Sequence, residues 1–224
     1  MPTLPSFRML VSNQPAKRFI KYCTRLGIYQ KDFLVTSKIL EDRLIRAFDV
    51  TLSSLFIVVL TPLFLLISLL LLFSDGRPIF FVQTRLGQHE KKFRIIKFRT
   101  MVVRNSPDSY STKINDPRVT KLGRFLRRSS LDESPQLINV LLGDMSLVGP
   151  RPDVVDQKRL YDPGDLRDRL SVRPGLTGCA QVKYRSSATF EQRLGADIEW
   201  VRHRSLGMYL RIILLTLVTY RTTN

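Results

Sequence analysis

Asp132 and Glu133 are the residues of this chain with the most chemistry within reach. They stand side by side in SSLDESPQLINVLLGDMSLVGPRP, just ahead of a helical pattern, PQLINVLL, that opens on a proline and closes at Gly143. Proline is tolerated in the first turn of a helix. Aspartate is a good N-cap and glutamate in a first turn suits the helix dipole, so capping is one reading of the pair. The neighbours favour another. Lys121, Arg124, Arg127 and Arg128 precede the pair and Arg151 follows it. Carboxylates among cations can hold Mg²⁺ and a phosphate together. A carboxylate can also attack a phosphorus centre to form an acyl phosphate. Adjacent side chains diverge, so one could attack while the other binds metal.

Six cations are candidates for the phosphate: Lys97, Arg99, Arg127, Arg151, Arg173 and Arg185. Arginine binds phosphate bidentately and lysine as a point charge. Arg151 in GPRP and Arg173 in VRPG have the best case, because prolines restrict their backbones. Each is weighed against the plainer role of a solvated surface cation. His89 and His203 are isolated and read as surface residues; Trp200 reads as a core or interfacial anchor. No GxxxxGK[ST] or GxGxxG is present, so neither a P-loop nor a dinucleotide fold is indicated. Cys23 and Cys179 lie far apart with no metal-ligand spacing, which argues against a disulfide framework or a zinc site.

The net charge of +17 and pI of about 10.5 call for an anionic partner: nucleic acid, lipid head groups or phosphorylated small molecules. One stretch decides among them. From Val50 to Phe73 the chain carries no charge, and about 20 apolar residues suffice for a helix to cross a bilayer. It starts too far into the chain and runs too long for a signal peptide, and SDGRP follows it where a cleavage site would stand. Thr61-Pro62 sits at its middle, and both flanks are basic, with Arg43 and Arg46 before it and Arg77 and Arg85 after it. Charge bias therefore gives no orientation. One long helix interrupted at Pro62, entering and leaving on the same face, accommodates both features.

Around this run the expected elements are few. Residues 1–38 form a basic leader, either loosely structured or lying on anionic lipid. Helical spacing begins near Ser37 and continues into the apolar run. Ile79–Gln83 and Phe93–Phe98 read as a β-hairpin closed by RLGQHEKK. In RVTKLGRFLRRSSLDE, Leu122, Phe125 and Leu126 share a face ringed by cations, the composition of an interfacial helix. Residues 153–171 look helical and broken at Asp162-Pro163-Gly164. VRPGLTGCAQVKYR reads as a tight loop leading to a short strand. The C-terminal stretch reads as one or two amphipathic helices, with Tyr209–Tyr220 too short to span but long enough to lie on a membrane.

Several segments occur together and in order: RAFDVTLS, the proline-containing apolar run, PIFFVQTRLG, FRIIKFRTM, LGRFLRRSSLDESPQLINVLLGDMSLVGPRP and VRPGLTGCAQV. By these the chain resembles the bacterial sugar transferases, the small monotopic phosphoglycosyl transferases, over about residues 40–222. The resemblance implies an α+β, mostly helical fold. A re-entrant membrane helix-break-helix over 39–74, broken at Thr61-Pro62, would carry a catalytic domain over 75–224 on the cytoplasmic face of the inner membrane. It implies transfer of a sugar 1-phosphate from a UDP-sugar to undecaprenyl phosphate with release of UMP and with Mg²⁺ as cofactor. Such a step initiates exopolysaccharide, O-antigen or capsule assembly. Asp132 matches the nucleophile that carries the phosphosugar. Glu133 matches the neighbouring acid tied to Mg²⁺ and to activation of the acceptor. Lys97, Arg127, Arg151 and Arg185 match phosphate- and nucleotide-contacting cations. The chain departs from the family's QVNGRN-like segment with Gln181-Val182-Lys183-Tyr184-Arg185-Ser186, where donor choice could be set. The oligomeric state is left open, a homodimer included. Two other classes compete: a non-enzymatic basic scaffold on anionic lipid, and a membrane-tethered nucleic-acid binder, for which no recognition motif is present.

Overall fold

The computed structural model describes residues 30–102, 116–184 and 187–221, with residues 30–37 and 219–221 described by backbone alone. Most of the expected leader and Arg185 lie outside the described residues. Contacts divide the chain into two units, Met1–Leu44 and Ile45–Asn224, and the second contains every residue of the site.

The first element is a single helix, α1, Gln30–Ser74, which starts earlier than the sequence suggests. It also corrects the expected break: helical structure runs through Pro62 without interruption. Proline deletes one hydrogen bond of the ladder, and the turns on either side keep theirs. Thr61 does not fill the gap, because its hydroxyl donates to Ile57 O at 2.7 Å. From Lys38 to Ser74 the helix is long and apolar enough to cross a membrane. Within the second unit it buries one stripe. Ile45, Asp49 and Ser53 are buried four residues apart, and Ile67 and Leu71 continue the stripe. Val58, Val59, Leu65, Leu66 and Phe73 remain exposed. The early part of the stripe packs with Ile95, Leu137, Val140 and Tyr209, and Leu63 to Leu71 pack with Phe98 and Leu126.

After the Asp75–Arg77 turn, strands β1 (Phe80–Leu86) and β2 (Lys92–Phe98) form the expected hairpin, antiparallel from Phe80↔Phe98 to Leu86↔Lys92. Both strands are longer than the apolar runs suggest, so Arg85 lies in β1 rather than in the loop. Helix α2 (Lys121–Arg128) is capped by Thr120 Oγ1, which accepts from Gly123 N at 2.9 Å. A Cβ on Gly123 would lie 2.2 Å from Thr100 O, so α2 sits directly on the end of β2. Leu126 is buried and Leu122 half-buried, but Phe125, one residue off that i, i+4 line, is exposed.

Helix α3 (Gln136–Leu142) is followed by β3 (Ser146–Val148), which pairs in parallel with β4 (Gly175–Thr177). The helical stretch over 153–171 is broken as expected: a 3-10 segment, Val155–Leu160, ends before Asp162, which takes the N-cap position of helix α4 (Pro163–Arg169), with proline at its first turn. The strand expected after the Gly-rich loop is instead helix α5 (Cys179–Tyr184); the strand is Gly175–Thr177, inside the loop. Burial decides this: Cys179 and Ala180 face the core with Val182 packed beside them, a helical contact pattern. Helices α6 (Phe190–His203) and α7 (Leu206–Arg221) follow. Trp200 and Tyr209 are buried, while Leu214, Leu217 and Val218 stay exposed on α7.

Candidate active site

Asp132 and Glu133 are not caps. They occupy a separate single turn, Leu131–Glu133, entered through Ser130 in the left-handed region (φ 45°), and α3 begins only after Pro135. Ser134 closes the turn by donating its hydroxyl to Leu131 O at 2.6 Å. The pair is thereby held above β2. Asn139 of α3 locks that placement: its Nδ2 donates to Arg94 O at 2.8 Å, and its Oδ1 accepts from Ile96 N at 3.1 Å.

Glu133 sits between two cations. Its Oε1 accepts from Lys97 Nζ at 2.6 Å and from Arg151 Nη2 at 2.5 Å, and its Oε2 accepts from Arg151 Nη1 at 3.2 Å. The Lys97 and Glu133 side chains are 16% and 18% exposed, so this contact is largely shielded; Arg151 is 45% exposed and reaches open solvent. Burial alone would raise the Glu133 carboxyl, but Arg151 and then Lys97 outweigh it and hold it at about 2. A carboxyl that acidic is ionised at any working pH and is a weak proton acceptor. Asp132 moves the other way. Burial first, and the Glu133 charge second, push it up to about 6, against the pull of Lys97, Arg127 and Arg151. Two adjacent carboxyls with separated pKa values are the electrostatic mark of a division of labour. Burial depresses Lys97, while Glu133 raises Arg151.

Arg127 comes to the same neighbourhood from α2, with Nε donating to Thr100 Oγ1 at 2.8 Å. Arg151 is carried by an interlocked pair of turns. Gly149 N donates to Thr177 O at 2.9 Å and Gly175 N to Pro150 O at 2.8 Å. A Cβ on Gly175 would lie 2.0 Å from Gly149 N, and one on Gly178 would lie 2.3 Å from Gly149 O, which requires glycine at both. Behind the turn lies a buried network. Arg169 donates to Asp153 at 2.5 Å, to Asp197 at 2.8 Å and to Arg151 O at 2.5 Å, and Tyr161 also donates to Asp153 at 2.7 Å.

Two of the expected phosphate cations are placed elsewhere. Arg99 is buried and spends its guanidinium on the turn after α1, donating to Asp75 O at 2.5 Å, Gly76 O at 2.7 Å and Arg77 O at 3.0 Å. Arg173 donates to Gly143 O at 3.0 Å. With Arg46, which donates to Val140 O and Leu141 O at 2.6 and 2.8 Å, it satisfies the carbonyls left open at the end of α3. Asp49 was passed over in the sequence, yet it joins α1 to β3 and α7: its Oδ1 accepts from Ser146 Oγ, Leu147 N and Tyr209 Oη. Arg85, which the sequence marks only as a basic flank of the apolar run, and Gln136 line a hollow beside Lys97 and Arg151. The alternation of β1 could have put Arg85 on that face; nothing in the sequence singles out Gln136.

The pair is compatible with Mg²⁺. Magnesium is commonly held by one or two carboxylates, with phosphates and water completing the shell. Among the described residues no hydrogen bond engages the Asp132 carboxyl, and Glu133 Oε2, with its single long contact, keeps a lone pair. Among the described residues no cluster of three or more His, Cys, Asp or Glu side chains could hold a metal alone, so substrate oxygens would have to take part.

Comparison with known proteins identifies the family. A profile described as bacterial sugar transferase matches residues 40–223. The chain is 41% identical over 188 residues to exopolysaccharide production protein ExoY of Rhizobium meliloti, covering 77% of this chain and 83% of that one. It is 41% identical over 187 residues to the UDP-glucose:undecaprenyl-phosphate glucose-1-phosphate transferase of Caulobacter vibrioides, covering 80% of this chain and 70% of the relative. An enzyme of the same name from Escherichia coli is 41% identical over 180 residues, which is 76% of this chain and 39% of that longer protein. With the family profile spanning both the apolar helix and the Asp132–Glu133 site, the chain belongs to the bacterial sugar transferase family.

Proposed function

We propose that this chain moves a sugar 1-phosphate from a UDP-sugar to undecaprenyl phosphate in two steps, through a phosphosugar carried on Asp132. The relatives named for UDP-glucose and undecaprenyl phosphate support the donor and acceptor classes. The single observation that carries the mechanism is the split pair: a partly buried Asp132 near neutrality beside a permanently ionised Glu133 clamped by Lys97 and Arg151.

In the first step an Asp132 carboxylate oxygen attacks the phosphorus that bears the sugar. The bond from that phosphorus to the bridging oxygen breaks, and UMP leaves with the electron pair. In the second, a phosphate oxygen of undecaprenyl phosphate attacks the same phosphorus, the acyl-phosphate bond breaks, and Asp132 returns as carboxylate. Its raised pKa makes it a better nucleophile than an ordinary aspartate while leaving it mostly ionised at neutral pH. Lys97, Arg151 and Arg127 stabilise charge on the phosphoryl oxygens. Glu133 holds Lys97 and Arg151 in place. Asp132 and Glu133 would hold Mg²⁺, which supplies further charge neutralisation when bound. Arg99 has no part in this reading, because backbone carbonyls take its guanidinium, and Arg173 is given none because its Nε is spent on the end of α3.

We place the catalytic unit on the cytoplasmic face, where nucleotide sugars are found. Support comes from α1, whose early and late stripe residues both pack on this one unit while Val58, Val59, Leu65, Leu66 and Phe73 stay exposed. Re-entry then requires α1 to bend at Pro62 while staying helical, which a proline kink allows. Single cysteines at positions 42 and 78 should label from one side; labelling from opposite sides contradicts re-entry. The reaction itself is tested by UMP release over a panel of UDP-sugars, beginning with UDP-glucose, with and without undecaprenyl phosphate. No UMP with any donor sinks the proposal.

A further inference from the structure

Beside Glu133 the hairpin and the Pro150–Pro152 turn border a hollow lined by Arg85, Ile95, Lys97, Gln136, Arg151 and Pro152. Two of these residues carry a buried donor with no acceptor. Gln136 is 2% exposed, and its Nε2 has no hydrogen-bond partner. Arg85 donates Nη1 to Pro152 O at 3.1 Å and Nη2 to Gln83 Oε1 at 2.7 Å, but its Nε has none. Buried polar groups are almost always satisfied, and an unmade bond costs about 1–3 kcal/mol. Both residues line one hollow of about 10 Å³, room for a single acceptor oxygen.

Charge indicates what kind. Arg85, Lys97 and Arg151 bring three cations to this wall, and the carboxylate among them, Glu133, is already shared by two. Asp153, whose charge also reaches Arg85, is held by Arg169 and Tyr161. Burial, and after it repulsion from Arg151, push the Arg85 guanidinium down, as expected of a cation short of a counter-ion. The absent partner is therefore rich in acceptor oxygens and anionic.

We infer that Arg85 Nε and Gln136 Nε2 form a phosphoryl-oxygen subsite next to the Asp132–Glu133 pair, gripping a phosphate that is not the one under attack. The proposed transfer offers two such groups, the uridine-side phosphate and the acceptor's lipid phosphate. The inference rests on that reading for the identity of the phosphate, but not for the chemistry of the subsite.

The test is calorimetric binding by the full chain in lipid nanodiscs, titrated separately with inorganic phosphate, UMP and a short polyprenyl phosphate. Gln136→Met keeps the bulk of the side chain and removes the donor. Its expected effect is a loss of about tenfold to a hundredfold in affinity for the phosphate held there, with the melting temperature unchanged or raised. A loss confined to UMP assigns the uridine-side phosphate, and one confined to polyprenyl phosphate assigns the acceptor. Wild-type affinities for all three ligands in Gln136→Met overturn the subsite. If Gln136→Met does not fold, Arg85→Lys, which keeps charge and removes Nε, carries the same comparison. Wild-type protein that binds inorganic phosphate but neither UMP nor polyprenyl phosphate contradicts the transfer reading; a loss of that phosphate binding in the variant still upholds the subsite.

Discussion

Replacing Glu133 by glutamine should shift the pH dependence of the reaction toward acid. Asp132 stands at about 6, raised first by burial and second by the Glu133 charge, while Lys97, Arg127 and Arg151 pull it down. Glutamine removes the upward charge and leaves the three cations. A unit charge roughly 7 Å away at an effective dielectric of about 20 contributes about 2 kcal/mol, which is between one and two pH units. Asp132 must be ionised to attack. Wild-type activity therefore falls as the pH drops through about 6, and that fall should move one to two units lower in the variant. The assay is kcat/KM for UMP release across the acid range at constant ionic strength, since kcat/KM reports groups of the free enzyme. The maximum rate should also drop, because Lys97 and Arg151 lose their shared anchor. The position of the acid limb is the test. A limb that stays at its wild-type pH, or climbs, would refute the idea that Asp132 titrates under the influence of Glu133.

Two further perturbations probe the scaffold that aims Arg151. Gly175→Ala would place a Cβ 2.0 Å from Gly149 N and 2.4 Å from Thr177 O, both backbone atoms that cannot swing away; a loss of about 3 kcal/mol or more is expected, read as a lower melting temperature with weaker UMP release. Arg169→Met removes a side chain 1% exposed that pairs with Asp153 and Asp197. Stranding those two buried carboxylates should cost about 3–5 kcal/mol, and a melting temperature within a degree of wild type would show the network to be unimportant.

The chemistry was more legible in the sequence than its supports. Asp132, Glu133 and Arg151 could be picked out because an acidic pair among cations, followed by a proline-fixed arginine, has few structural uses. The roles of Arg46, Arg99 and Arg173 could not. Each caps carbonyls brought near it by tertiary folding, and a basic residue looks the same in sequence whether it meets a phosphate or a helix end. The hairpin was visible in its alternation, but its length was not, and that hid Arg85. CAQVKY has no strong helical signature, and its helix follows from packing on the core. Pro62 suggested a broken helix; the remaining ladder around one missing bond is enough to keep α1 continuous.

The central claim is that Asp132 carries the sugar phosphate between donor and acceptor. Intact-mass analysis after incubation with UDP-glucose, without polyprenyl phosphate, reads this directly. The expected result is a species heavier by one hexose phosphate, mapped to Asp132, formed with an equal quantity of UMP and absent from Asp132→Asn. Turnover that proceeds only with both substrates present, with no adduct at any time, would contradict it.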